Sequence, residues 1–294
     1  MKQVQNIAIS IGATVMTLAI GWFAGANSIL FEGISSLAIL ALVALVIQWV
    51  AYIPAAIKQT EKFYDLVGAL TFITLVVTSL AICISTHQIH GLQWALGGIV
   101  IAWAARLGTY LFRRVHREGK DGRFDLLKNS PTAFLITWTV QGLWTFVVPL
   151  PVLVILLRGT PLESMVWVQW VGLAVWAAGF TIETVADGQK AAFRNNPENK
   201  GKWINVGLWA KAQHPNYFGE ITLWTGLVMV GAPLYEGFEW LAVMSPLVTW
   251  VLLTRVSGVP MVRAQNARKW GKDLAYQAYL KEVPMLIPMG RRSR

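Results

Sequence analysis

Between Lys211 and Gly226 the sequence reads KAQHPNYFGEITLWTG, with a His, an Asn, a Tyr and a Glu packed into the seven residues from His214 to Glu220. An imidazole, an amide, a phenol and a carboxylate together can donate, accept and move protons. An apolar run follows at once. Read locally, His214-Pro215-Asn216-Tyr217 is a turn: Pro215 removes a backbone donor, and Asn216 is a good N-cap for a helix beginning at Tyr217. Glu220 then sits in the first helical turn, where negative charge is favoured. His214 and Tyr217 are left without a structural reason, and a polar cofactor between helix ends would supply one.

Three further groups carry chemistry. Glu183 and Asp187 stand four apart in GFTIETVADGQKAAFRNN, with Lys190 and Arg194 continuing the face. Two acids at that spacing repel unless cations or hydroxyls lie between them. They either meet arginines from another helix or hydrogen-bond a polar ligand such as a ribose or amide. Arg106, Tyr110, Arg113, Arg114 and Arg117 share roughly one helical face in IAWAARLGTYLFRRVHRE. Arg113 fits a lipid-phosphate anchor equally well, whereas the stripe as a whole reads as an anion site suited to phosphate. Tyr64 and Asp65 open another apolar segment in EKFYDLVGALTF. Asp65 is explained either by the helix dipole or by a Tyr–acid pair that polarises a substrate carbonyl.

The elements that position these residues follow from composition. The 294 residues are 55% hydrophobic and only 14% charged, with a mean hydropathy of +0.51. Soluble proteins carry roughly 25% charged residues, so this chain is an integral membrane protein. Apolar stretches of helical length fall at 7–26, 34–57, 66–85, 92–112, 132–157, 165–185, 218–232 and 240–256. They predict an all-α bundle of seven or eight transmembrane helices. All but two of the 25 Lys and Arg fall on one side if the spans alternate; Arg106 lies inside a span, and Arg158 falls opposite with Glu32, Glu163, Glu236 and Glu239. The basic loops and C-terminus are therefore expected in the cytoplasm, and the net charge of +10 does not describe a nucleic-acid surface.

The chain is expected to form one membrane domain, with N-terminal spans over 1–62 and a core over 63–294. Lys2, an apolar run and AGAN at 24–27 imitate a signal peptide, but the run is long for one and is expected to stay as the first span. The single Cys83 excludes an internal disulfide. His87 and His90, without a convergent carboxylate or Cys, are read as loop residues and not metal ligands. No feature calls for an obligate protein partner.

ETVADGQKAAF, NKGKWINVGLWAKAQHPNYFGE, LLTRVSGVPM and a terminal MLIP together resemble the membrane steroid 5α-reductase superfamily in its bacterial DUF1295 branch, over roughly residues 63–288. Sterol reductases and isoprenylcysteine methyltransferases carry related H-P-x-Y-x-G elements. The resemblance implies a bacterial inner-membrane reductase that holds NADPH among its cytoplasmic helix ends. Hydride would pass to the C=C bond of a lipophilic enone, such as a 3-oxo-Δ4 steroid, drawn from the membrane lipid. Glu183, Asp187, Lys190, Arg194, His214, Asn216, Tyr217, Glu220, Arg255 and Ser257 are then the cofactor-binding residues, with Arg106, Tyr110, Arg114 and Arg117 on the basic helix. Tyr64 and Asp65 take the catalytic positions, and Trp103 lines the substrate. Gln213 stands where relatives often show Arg. No G-x-G-x-x-G follows a strand, so a helical cofactor site is implied. The 15 Trp residues suit a flat apolar cavity. The alternative is a membrane methyltransferase using S-adenosylmethionine, which needs fewer phosphate-grade cations.

Overall fold

A computed structural model describes residues 2–86, 89–158 and 164–289. His87 and Glu163 lie outside the described residues, as do the terminal arginines 291, 292 and 294. The chain is an all-α membrane bundle. Among the described residues six helices are long and apolar enough to cross a bilayer, and a bent pair makes a seventh if it counts as one span. The chain forms two compact units, Met1–Val166 with Gly231–Ser245, and Trp167–Val230 with Pro246–Arg294.

The first unit holds α1 (Lys2–Ala24), α2 (Ser36–Ile57), α3 (Tyr64–Thr86), α4 (Gly91–Glu118), α5 (Pro131–Val147) and α6 (Leu150–Leu156). α3 packs on α4, while α1 and α2 pack on α5 and on each other. Phe72, Trp103, Phe134, Trp138 and Phe146 are fully buried between them. Lipid is as apolar as these side chains, so close packing holds the bundle together more than escape from water does. The span expected at 132–157 is broken: α5 and α6 meet at 52°. Pro149 and Pro151 lie at the break, where missing N–H groups interrupt the helical ladder. A short hairpin pairs β1 (Leu30–Phe31) with β2 (Ile34–Ser35), turned by Glu32 and Gly33 at φ of 50° and 78°. Arg158, the cation expected on the acidic side, is buried there. It bonds Glu236 and the Leu234 carbonyl, and reaches Glu239 at 3.0 Å.

The second unit holds α7 (Trp167–Asn195), α8 (Pro215–Gly231), α9 (Met244–Val251), α10 (Val259–Trp270) and α11 (Leu274–Glu282). The unit boundary passes through α9, and its far end continues as a π turn over Leu252–Val256. α7 runs ten residues past the apolar stretch that predicted it. At 1.5 Å per residue its 29 residues span about 43 Å, longer than a hydrocarbon core of roughly 30 Å. Its polar end is therefore regular helix standing clear of the lipid. α8, at 17 residues, is shorter than the helices that meet the spanning length.

Candidate functional site

Four glycines bring α7 and α8 together. Gly172 and Gly179 are seven residues apart on one helix, Gly219 and Gly226 seven apart on the other, a spacing that keeps each pair on one face. A Cβ on Gly179 would lie 2.5 Å from the Leu223 nitrogen, and one on Gly219 would lie 2.6 Å from the Glu183 nitrogen. With no side chain between them the two backbones touch, as small residues allow in membrane helices. The contact carries the buried Glu183 and Asp187 of α7 up to the first turns of α8.

The helix begins two residues earlier than expected. α8 starts at Pro215, whose fixed φ suits the first helical residue, and His214 takes the position before it. Asn216 is thus inside the first turn and does not cap it. Its side chain turns to α7, where Nδ2 donates to Asp187 Oδ1 at 3.2 Å. The other end of that amide, Oδ1, is buried with no protein donor among the described residues. Glu220 is also buried, one turn along the helix from Asn216.

His214 is 5% exposed and its ring lies flat on Tyr217, with centroids 5.0 Å apart and planes 4° from parallel. Burial, then the Lys190 and Arg263 charges, pull its pKa down to about 3. At neutral pH it is an uncharged imidazole. Lys190 Nζ rests 4.6 Å from the centre of the Trp209 ring, a cation–π contact.

Residues 207–214 are fastened from two directions. Trp209 Nε1 donates to the Ala186 carbonyl and Gln189 Oε1 accepts from Leu208 N, which ties the loop to α7. From the C-terminal side, the Pro284 and Met285 carbonyls accept from Gln213 N and His214 N at 2.8 and 3.0 Å. Gln213 Nε2 donates to the Leu280 and Val283 carbonyls, Arg263 donates to Gln213 Oε1, and the Tyr279 hydroxyl donates to Trp209 O. An arginine at position 213 would have no acceptor to offer Arg263; the amide has one. Tyr279, Val283 and Pro284 carry no motif, and Met285 opens the MLIP run; only the three-dimensional structure shows them fastened to the 207–214 loop.

Other expected cofactor residues of this unit lie further out. Arg194 and Arg255 are exposed; Arg255 stands 5.9 Å from the Trp250 ring centre. Ser257 Oγ donates to the Leu252 carbonyl, closing the π turn.

The remaining expected residues belong to the first unit. On α4, Arg106 and Tyr110 are half-buried and Arg117 is exposed. Trp103 packs edge-on against Phe72 at 5.1 Å. Arg114 and Asp65, expected in different roles, meet each other at 3.4 Å, and Arg114 also reaches Asp121 at 3.1 Å. Arg123 completes the cluster at 2.6 Å from Asp121 and 3.6 Å from Asp65. Burial works to raise the Asp121 carboxyl, but Arg123 and Arg114 outweigh it and hold it below its ordinary range. Tyr64 is not paired with Asp65. Its hydroxyl donates to the Thr137 carbonyl at 2.9 Å, and its ring lies against Phe124 and Trp138.

Comparison with known proteins adds two findings. The profile of the family described as "Protein of unknown function (DUF1295)" matches residues 51–283. A probable O-methyltransferase of Ustilaginoidea virens is 34% identical over 69 residues, which cover 23% of this chain and 24% of that protein. The chain thus spans about a quarter of that relative's length. No solved structure matches.

Proposed function

The chain belongs to the DUF1295 family, and on that premise we propose that it is an NADPH-dependent membrane reductase of lipophilic conjugated ketones, with the cofactor held at the α7–α8 turn. The observation that carries this reading is the Asp187–Asn216 couple: a buried carboxylate fixes one end of an amide whose other end, an acceptor, lacks a protein donor among the described residues. A carboxamide N–H or a ribose hydroxyl is the kind of group that completes it. Glu183 and Asp187 are acceptors suited to ribose hydroxyls. Lys190, Arg194, Arg255 and Arg263 supply cations of the kind that phosphates need. His214, uncharged and stacked on Tyr217, offers a flat polar surface without competing for those phosphates.

NADPH bound there would supply the hydride. The chain's own part is to orient the carboxamide through Asn216, to exclude water with the C-terminal strap over Gln213 and His214, and to neutralise phosphate charge. Tyr64 as proton donor would first have to release the Thr137 carbonyl, so in this reading it positions α3 against α5 and the enolate takes its proton elsewhere.

A second reading is favoured by the similarity to a probable O-methyltransferase: the same acidic and amide groups would hold S-adenosylmethionine, whose sulfonium carries positive charge. One experiment separates the two. Purified full-length protein is heated with NADPH or with S-adenosylmethionine. A rise in melting temperature of several degrees with NADPH, lost in Asn216→Leu, supports the reductase; a rise with S-adenosylmethionine and none with NADPH refutes it in favour of the methyltransferase.

A further inference from the structure

Gln48 on α2 and Gln141 on α5 lie deep in the first unit, 0% and 4% exposed. Gln48 Nε2 donates to Thr71 Oγ1 at 2.7 Å, and that hydroxyl donates in turn to the Val67 carbonyl at 2.8 Å. Gln141 Nε2 donates to the Tyr64 carbonyl at 3.0 Å. Partner chemistry therefore fixes both amides. A carbonyl can only accept, and the Thr71 proton is already committed, so nitrogen faces each of them. Both Oε1 atoms are then acceptors, and both are buried with no protein donor among the described residues. Trp138, one turn from Gln141 on α5, likewise buries an indole N–H with no acceptor among the described residues. An unmade hydrogen bond at membrane depth cannot be relieved by bulk water.

The two amides enter one seam. Gln48 bonds Thr71, three residues from Gly68 on α3, and Gly68 has no Cβ because Gln141 occupies that space: a Cβ there would lie 2.4 Å from Nε2. On the other side Gly142 sits against Leu45 and Ala44, a turn before Gln48 on α2. Gly68 and Thr71 are three residues apart, so the amides stand at adjacent levels, about 4.5 Å along α3.

We propose that the α2–α3–α5 seam is a binding site for a neutral O–H donor: a water molecule that donates to both Gln48 Oε1 and Gln141 Oε1, or the hydroxyl of a lipophilic alcohol that donates to one of them. A ketone or carboxylate would add acceptors to acceptors. A bare cation would find two neutral oxygens and no carboxylate, too few ligands for it. Water has one proton for each amide oxygen, and an alcohol has one for either. The inference is independent of the cofactor assignment.

The test uses the full chain in lipid nanodiscs. A map sharp enough to show ordered water is expected to hold non-protein density within about 3 Å of both Oε1 atoms for water, or of one of them for an alcohol. Round density, with no change in melting temperature on adding hexadecanol or cholesterol, identifies water. Elongated density, with a melting temperature that rises with either alcohol, identifies a hydroxyl ligand. A Gln48→Met and Gln141→Met cycle gives a second readout. The two amides share no hydrogen bond, so a bridging group makes their losses overlap, with the double variant falling short of additivity by ~3 °C. Bare Oε1 atoms in the map, or protein donors found on both, would overturn the site, whatever the variants do.

Discussion

Two polar clusters stand near basic segments of the sequence, one in each unit, and they are built on opposite plans. In the first unit the Asp65 and Asp121 carboxylates meet the Arg114 and Arg123 guanidiniums at 2.6–3.6 Å, and Glu61 meets Lys128 at 2.9 Å. Its charges answer one another, so a further anion would have to displace an internal carboxylate. In the second unit the Asn216 amide donates to Asp187 and keeps its own oxygen without a donor among the described residues, and His214 is kept uncharged. A cluster that satisfies itself contributes stability, and one that leaves an acceptor open contributes binding. Both kinds read alike in sequence, as ionisable residues at helix ends.

The largest expected effect comes from parting α7 and α8. Gly219→Val would set a side chain 2.6 Å from the Glu183 nitrogen, and backbone cannot swing aside as a side-chain tip can. Overpacking of this kind costs about 3 kcal/mol or more. Hydrogen exchange should show the peptides of 183–189 and 207–220 losing protection, while those around Asp121 and Arg123 keep theirs. Equal loss in both would mean that the clusters are not independently supported.

A pair of variants then separates stability from binding. Asp121→Asn leaves the Arg114 and Arg123 guanidiniums with Asp65 as their remaining carboxylate. The cost of breaking a buried pair, about 3–5 kcal/mol, is reduced here to about 2 because Arg114 and Arg123 keep 25% and 28% of their side-chain surface in solvent. Its melting temperature should fall while NADPH-induced stabilisation persists. Asn216→Leu withdraws a donor from the buried Asp187 carboxylate but also removes a buried oxygen that has no donor among the described residues. Its melting temperature should therefore fall less than that of Asp121→Asn, while the NADPH response is abolished. Identical behaviour of the two variants would erase the distinction between the clusters.

This contrast marks where sequence reading stops. The helical segments follow from apolar length, and the paired acids Glu183 and Asp187 from their spacing on a helix longer than its apolar stretch. The meeting of Asp65 with Arg114 was not legible, because it depends on residues 49 apart and on Asp121 and Arg123 in a loop whose sequence signals only a turn. The start of α8 was misplaced for a related reason. Local rules favour Asn216 as a cap, and the tertiary bond to Asp187 outweighs them. Gln213 is a single amide whose importance lies in three partners up to 70 residues away.

Acid should strip the two clusters in different windows. The folded protein holds His214 unprotonated down to about 3, whereas an unfolded chain binds that proton near 6.5. Its contribution is therefore full above about 6.5 and declines on acidification, by at most about 1.4 kcal/mol per pH unit. Asp121, held below its ordinary 3.8, stabilises the fold above that value and is lost only as pH falls through its folded pKa. Between pH 6.5 and 5 the melting temperature should drop in wild type and flatten in His214→Phe, which keeps the ring stack on Tyr217. A slope unchanged by that variant would place the titrating group elsewhere.

The smallest effect tests whether burial, not charge, sets these differences. Lys120 and Lys128 lie in one loop and each pairs with a carboxylate, at 2.8 and 2.9 Å. Lys120 and its partner Asp125 are 62% and 40% exposed, so water screens the pair and holding the long side chain still offsets most of the attraction. Lys128 is 20% exposed and its partner Glu61 only 2%, so removing the cation strands a carboxylate away from solvent. Lys128→Met should lower the melting temperature by several degrees. Lys120→Met should leave it unchanged within error at low and high salt. If both fall together, charge number in the loop governs the first unit, and its cluster is a field of like cations and not a set of matched pairs.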